Sequence, residues 1–185
     1  MKVLISFILL LCFLHANYEK LYDECKNKNI NSCDKLKNDL EKNCLKKEGK
    51  FCAVLAQIYE KGLGNIEKNF KKSEILYKKS CENGIASSCH FLGDMAYFGK
   101  GISQDFNRAF KLYNLACQNG FYKSCVNLGK MYEDGDGVEK NVTKAFYIYK
   151  NSCKDGDKIS CLSIAQMVTD GKISKEEVEA RLYFD

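Results

Sequence analysis

Four stretches of the chain carry the same order of apolar, tiny and polar residues. They begin at Cys52 (CAVLAQIYEKGLG), Cys89 (CHFLGDMAYFGKG), Cys125 (CVNLGKMYEDGDG) and Cys161 (CLSIAQMVTDGKI). In each, an aliphatic side chain (Leu55, Leu92, Leu128, Ile164) precedes a tiny one (Ala56, Gly93, Gly129, Ala165), and Ile58, Met95, Met131 or Met167 follows one helical turn after the aliphatic. Spacing of i and i+3 makes an apolar helical stripe, and the tiny residue lets a neighbouring helix approach. Glycine inside a helix costs about 1 kcal/mol relative to alanine, so Gly93 and Gly129 argue for a packing demand. The stretches stop at the pairs Gly62/Gly64, Gly99/Gly101 and Gly135/Gly137, while the fourth keeps only Gly171.

A second helix follows each of the first three stops: SEILYKKSC ending at Cys81, AFKLYNLAC ending at Cys117 and AFYIYKNSC ending at Cys153. Ser73, Ala109 and Ala145 are its close-contact positions, and Tyr77, Tyr113 and Tyr149 recur four residues later on the same face. These tyrosines read as core. The 36-residue interval from Cys81 to Cys117 and again to Cys153 indicates a solenoid of helical hairpins. The predicted fold is all-α, an α/α solenoid whose hairpins are stapled by disulfides. Its units are residues 1–16 as a signal peptide, 17–51 as a shortened N-terminal capping unit, repeats at 52–88, 89–124 and 125–160, and a C-terminal capping repeat at 161–185, with a last helix around Glu176 to Phe184.

The amino end changes the picture of where the chain works. Met1-Lys2, the apolar run Val3 to Leu14 and then His15-Ala16 have the layout of a secretory leader, with cleavage after Ala16. The run is shorter than the roughly 20 residues of a spanning helix, so no transmembrane segment is expected after cleavage. Of 11 cysteines, Cys12 lies in the leader. The rest form Cys25/Cys33, Cys44/Cys52, Cys81/Cys89, Cys117/Cys125 and Cys153/Cys161, all with Cys-x7-Cys spacing. An even count behind a leader points to a periplasmic or secreted protein with a disulfide framework. Spacing alone does not prove connectivity, and local pairing is the economical choice. Each local bond would contribute roughly 2.5 kcal/mol by loop closure. Zinc usually takes ligands closer together and draws on histidine, of which the mature chain has His90 alone, so neither a metal nor another cofactor is expected. Lys and Arg number 29 against 24 Asp and Glu, mixed along the chain, which is far from a nucleic-acid footprint.

The order Leu-Gly-x-x-Tyr-x-x-Gly-x-Gly-Val-x-x-Asn-x-x-x-Ala-x-x-x-Tyr, from Leu128 to Tyr149, resembles the Sel1-like repeat, a relative of the TPR hairpin. With Cys-x7-Cys at each junction, residues 25 to 185 resemble the Helicobacter cysteine-rich protein family. The resemblance implies a secreted, disulfide-linked repeat protein and, for some members, penicillin-binding or weak β-lactamase activity. It also implies an adaptor surface.

Candidate chemistry is sparse. A serine β-lactamase is marked by Ser-x-x-Lys with Ser-Asp-Asn and Lys-Thr-Gly. Ser32-Cys33-Asp34-Lys35 fits the first pattern and the other two are absent, so no catalytic residue is assigned. Ser32 is expected to cap the helix that begins near Cys33. Lys46-Lys47, Lys71-Lys72 and Lys78-Lys79 read as solvated helix faces. Asn141, in Asn141-Val142-Thr143, is a candidate glycosylation acceptor. The flank beside each apolar stripe is expected to line a groove for a protein, peptide or peptidoglycan-like ligand: Gln57 and Glu60 with Ala53, then His90, Asp94 and Tyr97, then Lys130 and Glu133 with Val126, and Gln166 with Leu162 and Thr169. Tyr97 and His90 are its expected anchors.

Overall fold

The structure is a computed structural model that describes residues 17–46 and 48–183, in two compact units divided after Ile85. The expected leader, residues 1–16, and Phe184 lie outside the described residues. The first unit holds α1 (residues 17–26), α2 (Ile30–Leu45), α3 (Gly49–Lys61) and α4 (Phe70–Glu82). The second holds α5 (Ala86–Phe98), α6 (Phe106–Gln118), α7 (Tyr122–Asp134), α8 (Val142–Lys154), α9 (Lys158–Thr169) and α10 (Lys175–Tyr183). Within each unit successive helices pack as hairpins, α3 on α4, α5 on α6 and α7 on α8.

The helices begin and end where side chains and glycine satisfy the backbone. Asn69, Asp105 and Asn141 cap α4, α6 and α8, each side-chain oxygen accepting from the amide of Lys72, Arg108 or Lys144 at 2.8–2.9 Å. At the other end of α7, Gly135 adopts φ 85, and its amide donates to the Met131 carbonyl at 2.8 Å. The first helices start at Gly49, Ala86, Tyr122 and Lys158, one turn before the second cysteine of each pair. That cysteine therefore sits in a first turn, and its partner near the end of the preceding helix.

Five disulfides occur at the Cys-x7-Cys spacing. Cys25–Cys33, Cys44–Cys52, Cys117–Cys125 and Cys153–Cys161 hold their Cα atoms 4.6–4.9 Å apart, and Cys81 and Cys89 are both disulfide-bonded.

Ser32 is not the cap of α2. The chain turns at Lys28, with φ 64, and presents Asn29, whose side chain accepts from the Ser32 amide at 3.1 Å. Ser32 is inside the helix and buried, its hydroxyl donating to Glu24 Oε2 at 2.6 Å. Asparagine is a strong helix cap, and the tight turn places Asn29 first.

The apolar stripe builds the cores. In the first unit Leu36, Leu40, Leu55 and Ile58 pack with Leu21 and the Cys25–Cys33 bond. In the second, one cluster joins Ala96, Ala109, Tyr113, Leu128 and Met131, and another joins Ala145, Phe146, Tyr149, Met167 and Ile173. The tiny residues seat the tyrosine rings. A Cβ on Gly93 would lie 2.8 Å from two atoms of the Tyr113 ring, and one on Gly129 would press into the Tyr149 ring more closely still. Ser73 uses its buried hydroxyl at the same kind of seat, donating to the Ala56 carbonyl at 2.9 Å. In α9 the equivalent residues are less covered, with Ala165 exposed and Ile164 half-buried.

The seat reverses an ordinary preference. Alanine normally stabilises a mid-helix glycine position by about 1 kcal/mol, whereas Gly129→Ala is expected to destabilise by about 2 kcal/mol through overpacking on Tyr149. Denaturant unfolding measures this. Combining it with Tyr149→Leu, which removes the obstructing ring, is expected to recover part of the loss relative to the sum of the single changes.

Candidate functional site

The three core tyrosines each send a hydroxyl out of the apolar interior to a carboxylate on the preceding first helix. Tyr77 donates to Glu60 Oε2, Tyr113 to Asp94 Oδ1 and Tyr149 to Glu133 Oε1, all at 2.7 Å. Buried tyrosine hydroxyls need such partners. Glu60 and Glu133 occupy the same repeat position, where the middle hairpin has Tyr97. There the acceptor moves back one turn to Asp94, and Tyr97 donates to Asp136 Oδ2 at 2.5 Å. The bond to Asp136, with burial adding to it, pushes the Tyr97 hydroxyl up to about 12. Burial and the bonds to Asp94 and Glu133 raise Tyr113 and Tyr149 as well.

His90 lies in a polar cluster of the second unit. Its Nδ1 is 2.9 Å from Ser124 Oγ, its Nε2 is 3.6 Å from Asp94 Oδ2, and the Phe121 ring centroid is 4.8 Å away. Serine, histidine and aspartate here have the composition of an acyl-transfer triad, but not its access. Ser124 is 0% exposed and His90 6%, so a substrate carbonyl cannot reach the hydroxyl. The cluster is a buried seam between α5 and α7, continued by Asn127 Nδ2 donating to Asp94 Oδ1 at 3.5 Å.

This seam sorts the residues expected to line a groove. His90 is buried, not displayed, because its flank of α5 faces α7. Glu133 is buried too, held by the Tyr149 hydroxyl and by Lys172 Nζ at 2.6 Å. Tyr97, Asp94 and Glu60 are half-buried and engaged as above, and Gln57 is half-buried. Ala53 and Val126 are half-buried, while Thr169 is exposed and donates to the Gln166 carbonyl. Lys130 and Gln166 are exposed at equivalent positions of α7 and α9, with Gln166 donating to Asp170 Oδ1 at 2.6 Å. Leu162, one turn before Gln166, is 68% exposed. The structure thus pairs Asp94 with Asn127 across α5 and α7, and leaves Lys130 of α7 and Leu162 and Gln166 of α9 exposed in the same unit.

Ser124 and Asp136 escaped the sequence reading. Ser124 had a signal: Ser32, Ser88, Ser124 and Ser160 each precede the second cysteine of a pair, and all four are buried. Asp136 sits between the two turn glycines, where no periodicity marks it. Asn141 has a structural reason to be asparagine, since it caps α8. Among the described residues no three His, Cys, Asp or Glu gather as a metal site, and no helix is long and apolar enough to cross a membrane.

The sequence pattern of the Sel1 repeat matches residues 50–85, 86–121 and 123–157. No curated protein sequence matches the chain. Among solved structures, a protective antigen of uropathogenic Escherichia coli displaying an SLR fold is similar over 77% of this chain, with a TM-score of 0.70 and 20% identity. A Sel1 repeat protein from Oxalobacter formigenes is similar over 74%, with a TM-score of 0.69 and 25% identity. Helicobacter pylori cysteine rich protein B is similar over 68%, with a TM-score of 0.55 and 28% identity. The chain spans 30% and 54% of the first two proteins and 95% of the third.

The geometry yields two expectations. Burial holds the His90 imidazolium below its ordinary range, with Asp94 opposing and Lys123 adding to the shift. The folded state therefore binds fewer protons at His90 than the unfolded chain. Its contribution to stability is full above the unfolded value of about 6.5 and is lost as pH falls below it. Thermal melts taken from about pH 7.5 down to about pH 5 should show a smaller loss in His90→Gln than in the unaltered chain. Ser32, committed to Glu24, is expected to be dispensable for any chromogenic β-lactam turnover: Ser32→Ala should leave the rate unchanged in protein of normal helicity.

Proposed function

Because the chain belongs to the Sel1 repeat family, whose hairpins offer helix faces more readily than reactive centres, we propose that it is an extracytoplasmic scaffold that binds a protein, peptide or cell-wall-derived ligand. The observation that carries this reading is the side-by-side face of α5, α7 and α9 in the second unit. It offers an exposed leucine at Leu162, a cation at Lys130 and the amide side chain of Gln166, beside the half-buried Asp94–Asn127 pair. Leu162 and Gln166 are i and i+4 on one helix and share its open side.

The character of this face favours a polar chain with an apolar side group over lipid or nucleic acid. A lipid surface would call for a broad apolar patch, and nucleic acid for a basic one. The disulfide framework supports an oxidising location, as does the predicted leader. A rigid scaffold suits binding because less freedom is lost when the ligand docks.

Site-directed photo-crosslinking tests the reading. A crosslinking residue at Leu162 is expected to trap a ligand from the native envelope, and one at Leu115, exposed on the second helix α6, to trap none. Lys130→Glu should then weaken binding of the trapped ligand about tenfold, or roughly 1.4 kcal/mol, with Lys111→Ala on α6 without effect. Equal trapping at both positions would refute the assigned face.

A further inference from the structure

The first unit contains a cavity of about 260 Å³ that none of the expected groove residues lines. Its floor is the ring of Tyr59, buried in the core, and Lys72 Nζ stands 5.0 Å over that ring. Lys37 of α2 and Lys68 of the α3–α4 loop bring two further cations, while Asp34 and Glu67 bring two carboxylates. Lys37 lies close enough to Tyr59 for its charge to be felt at the phenol. The local balance is positive, and the cavity adjoins the amino end of α4, where the helix dipole favours an anion.

One residue sets this loop apart from its equivalents. Gly64 to the cap Asn69 is one residue longer than Gly101 to Asp105 or Gly137 to Asn141, and Asn65 in the longer loop lines the cavity. The loop is held in place from below. Leu63 and Ile66 exchange backbone hydrogen bonds of 3.0 and 2.8 Å, and the Asn69 amide donates to the Tyr59 carbonyl at 2.7 Å. Gly64 lies against the Cys25–Cys33 bond, where a Cβ would come within 2.6 Å of Cys33 Sγ. In the second unit Lys144 stands over Tyr132 in the same register, 5.5 Å from the ring, beside a loop without the extra residue. The stacked lysine thus recurs in another repeat, although the middle one has Ala96 and Arg108 at the two positions, whereas Asn65 and Lys37 belong to this cavity.

We propose that the cavity binds a carboxylate carried by a peptide, on an acidic side chain or at a chain end, with Lys37 and Lys72 as its cations and the Tyr59 ring as its floor. The volume is below the usual range of drug-sized pockets, about 300–1,000 Å³, and suits one residue rather than a nucleotide. Asp34 and Glu67 would repel a polyanion, and with the amides of Asn65 and Asn69 they offer partners to peptide N–H and C=O groups. The proposal rests on the scaffold reading and adds to it a site in the first unit, apart from the face of α5, α7 and α9.

Calorimetric titration of the oxidised full chain with three probes tests it: N-acetylalanine, with a terminal carboxylate; N-acetylaspartic acid α-amide, with a side-chain carboxylate; and N-acetylalaninamide, with neither. At least one acid is expected to bind saturably and at least tenfold tighter than the neutral amide, and the tighter of the two identifies the source of the carboxylate. Lys37→Gln and Lys72→Gln should each weaken that acid at least tenfold, Lys37→Arg should retain it, and Lys144→Gln should change nothing. Deleting Asn65, with helicity and the disulfide map intact, should abolish it. Equal binding of the amide, unchanged binding in Lys37→Gln, or no saturation by either acid at about 10 mM overturns the proposal. If the acids fail while a residue at Leu162 still traps a ligand, the carboxylate site falls and the scaffold reading stands.

Discussion

The seating of a tyrosine ring on a tiny residue of the preceding helix is the contact on which each hairpin depends. A ring of that size can be buried between two helices only if one of them gives up its side chain at the point of contact, which Gly93 and Gly129 do. Burial of the ring then forces a second requirement, a partner for its hydroxyl, which the first helix supplies as a carboxylate, one turn beyond the seat at Glu60 and Glu133 and directly after it at Asp94. Glycine lowers intrinsic helix stability and the carboxylate must be partly desolvated, so neither residue makes sense alone. Together they fix how closely the helices of a hairpin approach and their register along the axis.

The disulfides act on a different degree of freedom. Within a hairpin, burial is sufficient to order the helices. From one hairpin to the next, the chain passes through a turn of a few residues that buries little. A bond from the last turn of one helix to the first turn of the next constrains that turn without requiring apolar area. This division suits repeat proteins, where stability is a sum of units and junctions. It also frees helix surface for polar side chains such as Lys130 and Gln166 that contribute nothing to the core.

What could be read in advance was whatever repeats along one dimension. Helix positions, the buried stripe of Leu55, Leu92 and Leu128, the core tyrosines and the cysteine pairs all follow from spacing, because each hairpin solves the same packing problem. The side-chain partners could not be read that way. His90 stands at a register position that is exposed as Leu162 in α9, yet it is buried because Ser124 and Phe121 close over it from the next repeat. Glu133 fails as a groove residue for a similar reason: Lys172, 39 residues away, reaches back to it. Ser32 lost its expected capping role to a one-turn difference in where α2 begins. In each case the outcome depends on contacts between neighbouring elements, which a helical wheel does not contain.

Departures from the repeat are therefore more informative about function than the repeat itself. Where all hairpins agree, as at the tyrosine seat, the residue answers to packing, and a ligand would compete with the fold for it. Tyr97 shows how such a departure can still be absorbed: it takes the place of a carboxylate, the acceptor shifts to Asp94, and the displaced function reappears one turn away. Asn65 is not absorbed in this way. It lengthens a loop already pinned by the Leu63–Ile66 bridge and by the Cys25–Cys33 bond, and the extra residue faces a cavity instead of the core. Lys130 and Leu162 are likewise unlike their counterparts Gln57 and His90, and they stand in solvent. A solenoid whose shared positions are occupied by packing can vary its recognition only at positions of this second kind, so ligand preference should track loop length and exposed register positions instead of the motif that defines the family.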